Sequence, residues 1–429
     1  MPKLTFAMIC LIASAYPAVA GNIDAPPINY STAPAKNRVE DLIARLEAGK
    51  TKIPYEKQFG YLRGLLKELN VPESSQILVF SKTSLQRHRI SPATPRAIYF
   101  GDDVYIGFCQ NGDVGEISAV DPQLGTVFYS LNQKAKDKPR FTRQTDTCLI
   151  CHASSQNEGL PGHLVRSVHA DAEGQPLLAS GTYRIDHTSP LSQRWGGWYV
   201  SGTSGKQKHM GNLICDERQG GDDIDNKDGL NVTDLSKFFK TSLYLTPHSD
   251  IVALMVMEHQ AQMHNLLLRA NYLTRIALHD EAELNKALGR EEPGHSESTL
   301  SRIRNAGDPL VKYMLFSGEA QLTEPVKGTS GFAREFSQHG PRDKSGRSLR
   351  DLDLSKRLFK YPCSYLIYSD SFNQLPAEVK EYVYHRLWQV LTGRDSSPDF
   401  AHLSDADCQA IREILLQTKT DLPDYWRKK

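Results

Sequence analysis

Cys148-Leu149-Ile150-Cys151-His152 is the segment whose residue types and spacing most directly imply chemistry. Two thiols three positions apart can each add to one of the two vinyl groups of a haem, while the adjacent imidazole swings beneath the ring to ligate iron. Two other chemistries use paired cysteines. A structural zinc requires a second ligand pair at matching spacing, and a thioredoxin-like dithiol requires a βαβ context; the sequence offers neither. The pentapeptide therefore points to one covalently attached haem.

On these five residues the chain resembles the c-type cytochromes, and the resemblance implies a haem c with thioethers at Cys148 and Cys151 and proximal iron ligation by His152. The flanking text Gly159-Leu160-Pro161-Gly162-His163, Asp186-His187-Thr188-Ser189-Pro190 and Arg194-Trp195-Gly196-Gly197-Trp198-Tyr199 is similar to large single-haem cytochrome-domain proteins of bacteria. Small cytochromes c are mostly helical and much shorter, so the β-rich surroundings read below are a departure. A proximal histidine donates its second ring N–H to a fixed acceptor. Pro161 is the expected provider, through its carbonyl, because cytochromes c often place a proline shortly after the motif; a plain turn at Pro161-Gly162 is the alternative.

What faces iron opposite His152 decides function: two protein ligands make an electron carrier, and an open side permits binding or catalysis. His209 and Met210, 57 and 58 residues past His152, lie in a loop flanked by Gly205 and Gly211. Their separation resembles that of the distal methionine in small cytochromes, although a His-Met pair in a polar loop also suits a surface. Met255, His259 and Met263 recur every four residues and project from one helix face, where they either line a haem pocket or fill a core. Met210 is preferred over His209, and either over His259. A third reading leaves the site open, with Arg184, His187, Arg194, Trp195 and Trp198 crowded into 15 residues; those groups can polarise a bound peroxide, or the tryptophans can simply cover the macrocycle.

The ends and composition narrow the setting. Met-Pro-Lys, an apolar run from Leu4 to Ala15 and Ala18-Val19-Ala20 before Gly21 have the order of a secretory signal, so residues 1–20 are expected to be removed on export to the periplasm. Cys10 follows Ile9 within that run, unlike a lipoprotein cysteine. Of 429 residues 409 then remain, enough for two or three subdomains. Acidic and basic residues balance, 50 against 51 before cleavage, which gives no whole-molecule attraction to nucleic acid or anionic membrane. No later run reaches the roughly 18 apolar residues of a membrane span. Cys109, Cys215, Cys363 and Cys408 are left for three alternative pairings or none.

Local signals are weaker. Lys134, Lys136, Lys138, Arg140 and Arg143, with Lys206 and Lys208, either rim an exposed haem edge and steer an acidic redox partner protein or are solvated loops. Asp222, Asp223, Asp225 and Asp228 with Gly229 fail the EF-hand register. Asn231-Val232-Thr233 is a glycosylation sequon of little meaning in a bacterial periplasm.

The elements that must position the motif follow from periodicity. Residues 21–37 read as an extended arm. Asn37 with Glu40 signals a helix cap, Val39, Leu42, Ile43 and Leu46 share a face, and Gly49 suits the C′ position; a second helix is predicted around Lys57 to Leu69. Short apolar runs at 77–80, 97–100, 104–108 and 127–129 predict an antiparallel meander. Further strands are predicted at 164–169, 177–183 and 195–200. Ser249 or Asp250 caps a helix from Ile251 to about Leu278, and helices follow at 300–316, 376–391 and 406–418, the last capped by Ser404. Residues 318–350 read as a long wrapping or mobile loop.

The expectation is an α+β protein: a helical lead and antiparallel β-meander over 38–135, a covalent haem segment over 136–230, and a mainly helical region over 231–429. The expected function is periplasmic single-electron transfer. The alternatives are a peroxidase-like haem oxidoreductase with an open distal site, and a haem-based sensor or binding module.

Overall fold

The computed structural model describes residues 22–134, 138–216, 225–290 and 294–428. The predicted export segment 1–20, with Cys10, lies outside them, as do Lys136, Asp222 and Asp223. Helix α1 (Arg38–Glu47) begins where the cap signal stands: the Asn37 Oδ1 accepts the Val39 and Glu40 N–H groups at 3.0 and 3.2 Å. Glu40 takes the Tyr129 hydroxyl at 2.8 Å, which ties α1 to the sheet. Helix α2 (Leu62–Glu68) is shorter than its apolar run, because Glu56 and Gly60 bridge across a turn first.

The chain then forms β1 (Ile77–Val79), β2 (Arg96–Phe100), β3 (Val104–Phe108), β4 (Val114–Asp121), β5 (Gly125–Asn132) and β6 (Phe141–Gln144). A single turn, α3 (Leu149–His152), carries the cysteine motif. Strands β7 (Arg166–Val168) and β8 (Thr182–Arg184) pair with each other, and β9 (Trp198–Tyr199) returns to the main sheet. That sheet is antiparallel in the order β6-β5-β4-β3-β2-β1-β9, so strands from 136–230 stand at both of its edges. Strand β10 (Gly202–Thr203) precedes α4 (Ile251–Leu288) and α5 (Glu297–Met314), and pairs with β11 (Lys327–Gly328) beyond them; α6 (Phe332–Gln338), α7 (Asp370–Asn373), α8 (Ala377–Leu391) and α9 (Asp405–Thr418) complete the chain. The protein is thus α+β, with an antiparallel sheet in its first half and helices in its second.

Alternation divides the sheet into two faces. Ala97, Tyr99, Ile106, Phe108, Ile117, Ala119, Val127 and Leu131 pack with Val39, Leu42, Leu62, Leu65 and Leu66 of α1 and α2 in one core. Each buried aliphatic side chain there contributes about 1.5–3 kcal/mol. Ile98, Tyr105, Gly107, Glu116, Ser118, Phe128 and Ser130 line a cavity on the opposite face.

Helix α4 is the spine of the second half, buried along most of its length. Asp250, rather than Ser249, caps it: Oδ1 accepts the Val252 N–H at 2.8 Å, while Oδ2 takes the Thr329 and Ser330 N–H groups at 2.9 and 2.7 Å. Segment 318–350 therefore wraps the helix start and is not structureless, since it contains β11 and α6. Among the described residues no helix is long and apolar enough to cross a membrane.

Candidate functional site

Cys148, Cys151 and His152 open onto a cavity of about 1320 Å³ between the polar face of the sheet and α4. Cross-strand register builds its floor: Ile98, Gly107, Glu116 and Ser130 form one row, and Tyr105, Ser118, Phe128 and Gln144 the next. Gly107 has a steric role there, since a Cβ would lie 2.3 Å from Nη2 of Arg96. The bare backbone lets Arg96 cross to Glu116, which it meets at 2.6 Å. Val79, Trp198, Met257 and Ala261 line it as well, and Lys82, Arg87, His88 and Arg166 supply basic groups around it.

The mouth is unusually apolar for a water-exposed edge. Ile150, Leu178 and Leu85 are 75%, 67% and 51% exposed, and all three line this one cavity. Clustered exposed apolar groups at a cleft mark a surface that something covers.

His152 is fixed from behind. Its Nδ1 lies 2.9 Å from the Gly162 carbonyl, its ring packs on Phe128 at 4.6 Å between centroids, and its backbone carbonyl accepts from Gly162 N at 3.1 Å and Asn157 Nδ2 at 3.0 Å. The acceptor is Gly162 and not Pro161, whose carbonyl takes the Thr126 N–H at 3.0 Å instead. Gly162 is required because a Cβ would come within 2.3 Å of Asn265 Oδ1. Burial holds the His152 imidazole below its ordinary pKa against the pull of the Gly162 carbonyl, keeping it neutral as a metal ligand must be. Burial pushes the Cys148 thiol up to about 11, with Glu116 and Asp146 adding to the effect. That is opposite to the lowered thiol of a redox dithiol.

Among the described residues no three or more His, Cys, Asp and Glu side chains converge as a metal cluster, so Cys148, Cys151 and His152 do not form a closed zinc centre. The set does suit a haem: two sulfurs at the mouth, an oriented neutral imidazole, a large cleft with apolar walls and basic groups for carboxylates.

The three distal candidates are not brought to this cavity. Met210 is buried beside Gly196 and Ser167, whose hydroxyl meets its sulfur at 3.6 Å. His209 packs edge-on to Trp195 at 5.3 Å, its Nδ1 accepting the Gly211 N–H. Their loop is pinned away by the Met210 N–H on the Arg194 carbonyl at 2.9 Å, and by Asn226 on the His209 and Gly211 carbonyls. His259 has both nitrogens engaged, Nδ1 with His187 Nδ1 at 2.8 Å and Nε2 with Ser364 at 2.9 Å, and stacks on Phe316.

Of the crowded group at 184–198, Trp198 lines the cavity, its Nε1–H held by the Arg166 carbonyl at 2.8 Å. Arg194 instead forms a buried ion pair with Glu258, and Trp195 is buried nearby. Of the basic residues singled out before the motif, Arg143 is turned to the Ala33 carbonyl at 2.8 Å. The cavity's own basic groups come from 82–88, Arg96 and Arg166. The run Arg87-His88-Arg89 was a visible signal for them. Cys109, Cys215, Cys363 and Cys408 are unpaired.

No protein-family model, no curated protein and no solved structure matches the chain.

Proposed function

We propose that the chain is an exported, periplasmic c-type cytochrome carrying one covalent haem c, and that it transfers single electrons between redox partner proteins. The observation that carries the reading is the meeting of Cys148, Cys151 and an oriented His152 at one wide cavity that Val79, Phe128, Trp198, Met257 and Ala261 also line. When bound, the haem supplies an iron that cycles between ferric and ferrous states. The chain's own residues attach it, hold the imidazole in one orientation, and exclude water with Phe128, Val79, Trp198 and Ala261. Ile150, Leu178 and Leu85 then border the exposed edge, with Lys82, Arg87 and Arg166 nearby to steer an acidic partner.

Carrier function is favoured over peroxidase-like catalysis because Arg184, His187, Arg194 and Trp195 do not line this cavity. Purified protein, matured in cells competent for haem attachment, tests the reading. It should show the alkaline pyridine spectrum of haem c at one haem per chain and titrate reversibly in one electron. A high-spin ferric spectrum with peroxide turnover would favour the enzyme instead.

A further inference from the structure

We propose that Met257 Sδ is the second axial ligand of the iron, opposite His152; this rests on the haem reading above. His152 enters the cavity at the β4–β5 end of the sheet, against Phe128. Met257 lines the same cavity from α4 together with Val79 and Trp198, which pair at the β1–β9 end. Both side chains thus open into one cavity from different elements, His152 from α3 and Met257 from α4.

Every other lining group able to bind iron is committed elsewhere or sits on the rim. His163 meets Ser118 Oγ through Nε2 at 3.0 Å and Thr126 Oγ1 through Nδ1 at 3.3 Å. The Tyr105 hydroxyl accepts from Gln260 at 2.8 Å, and the Tyr129 hydroxyl donates to Glu40. His88 is exposed beside Asp113, and Lys82 lies on the same outer loop. Met257 is 4% exposed, and its polarizable thioether suits a soft site.

Helix geometry gives a second argument. Met257, Ala261 and Asn265 recur every four residues and share one face. Asn265 holds the 162–163 loop that orients His152, taking the His163 N–H and donating to its carbonyl, both at 2.8 Å. About 12 Å of helix rise separates Met257 from Asn265. That span accommodates an imidazole and two metal–ligand bonds of about 2 Å each. Ala261, between them, is small enough to let a flat ring lie against the helix. Met255 and Met263 point to the opposite side, so the methionine periodicity that drew notice in the sequence belongs to the other face.

The test is the ferric absorption and magnetic circular dichroism of the haem-loaded wild type and of Met257→Leu, Met255→Leu and Met263→Leu. The wild type, Met255→Leu and Met263→Leu should be low-spin with an iron–thioether charge-transfer band. Met257→Leu should lose that band, become high-spin and bind cyanide at least tenfold more tightly. Should Met257→Leu fail to accumulate, Met257→His should give a low-spin bis-imidazole spectrum. One attached haem with no thioether band in the wild type, or a band that survives in Met257→Leu, overturns the assignment and leaves the haem reading intact. Absence of the haem c pyridine spectrum overturns both.

Discussion

The side-chain amide of Asn265 clasps the backbone of His163 on both sides, Oδ1 accepting its N–H and Nδ2 donating to its carbonyl, each at 2.8 Å. A residue of the long C-terminal helix thereby fixes the loop whose Gly162 carbonyl stands 2.9 Å from His152 Nδ1. Sequence neighbours of the motif orient the imidazole only because a partner 102 positions away holds them in place.

Asn265→Ala removes both bonds and leaves the His163 N–H unsatisfied, while its carbonyl keeps Asn157 Nδ2 at 3.3 Å, at a cost of about 1–3 kcal/mol. Its denaturation midpoint should fall, and haem incorporation per chain should fall with it. Gly162→Ala should do the same, since its Cβ would meet Asn265 Oδ1 at 2.3 Å. Wild-type haem occupancy in both variants would contradict this coupling.

Acid should destabilise the fold through buried histidines. Burial lowers His209 and His264 from 6.5 to about 4 each. The unfolded chain protonates them near 6.5 and the folded chain only near 4, so the folded state binds fewer protons in that window. Stability contributed by their neutral forms is fully present above 6.5 and is lost as pH falls toward 4, by about 1.4 kcal/mol per unit per histidine. Urea midpoints measured from pH 7 to 4 should decline, and His264→Gln, whose amide can still donate to the Asp102 carbonyl, should decline less steeply.

Arg96 and Glu116 sit on the cavity floor at 2.6 Å, and both act on His152 electrostatically. Removing the positive charge favours the more positive ferric state. Arg96→Leu should therefore lower the reduction potential and Glu116→Gln raise it, each by on the order of 1 kcal/mol. Gly107→Ala should mimic Arg96→Leu by driving the guanidinium aside. Potentiometric titration reads all three, and a rise in Arg96→Leu would count against a haem at this floor.

Arg194 and Glu258 form an ion pair that is almost fully buried. Arg194→Met strands the carboxylate and should cost about 3–5 kcal/mol, whereas Arg194→Met combined with Glu258→Leu should recover much of it. Calorimetry on the single and double variants measures the difference; equal melting temperatures would contradict the buried pairing.

The Cys148–His152 pentapeptide, the α+β class, the Asn37 and Ser404 caps and the long helix from Ile251 are legible in the sequence because each depends on neighbours within a turn or two. Strands β4 and β6 are not, since their cavity-facing positions carry Glu116, Ser118 and Gln144, which interrupt the apolar run that marks a strand. The lining contributed by α4 is equally hidden: Met257 becomes visible only once the rotation of that helix is known. His209 and Met210 stand out by a spacing that resembles smaller, helical proteins, whereas here Arg194 and Asn226 hold that loop beside Trp195, away from the cavity.

The most direct test is the intact mass of the mature chain isolated from cells competent for cytochrome maturation, with peptide mapping of residues 148–152. The account predicts one added haem on that pentapeptide, lost in Cys148→Ala combined with Cys151→Ala. A wild-type chain with no added mass, or with zinc bound to those cysteines, would contradict it.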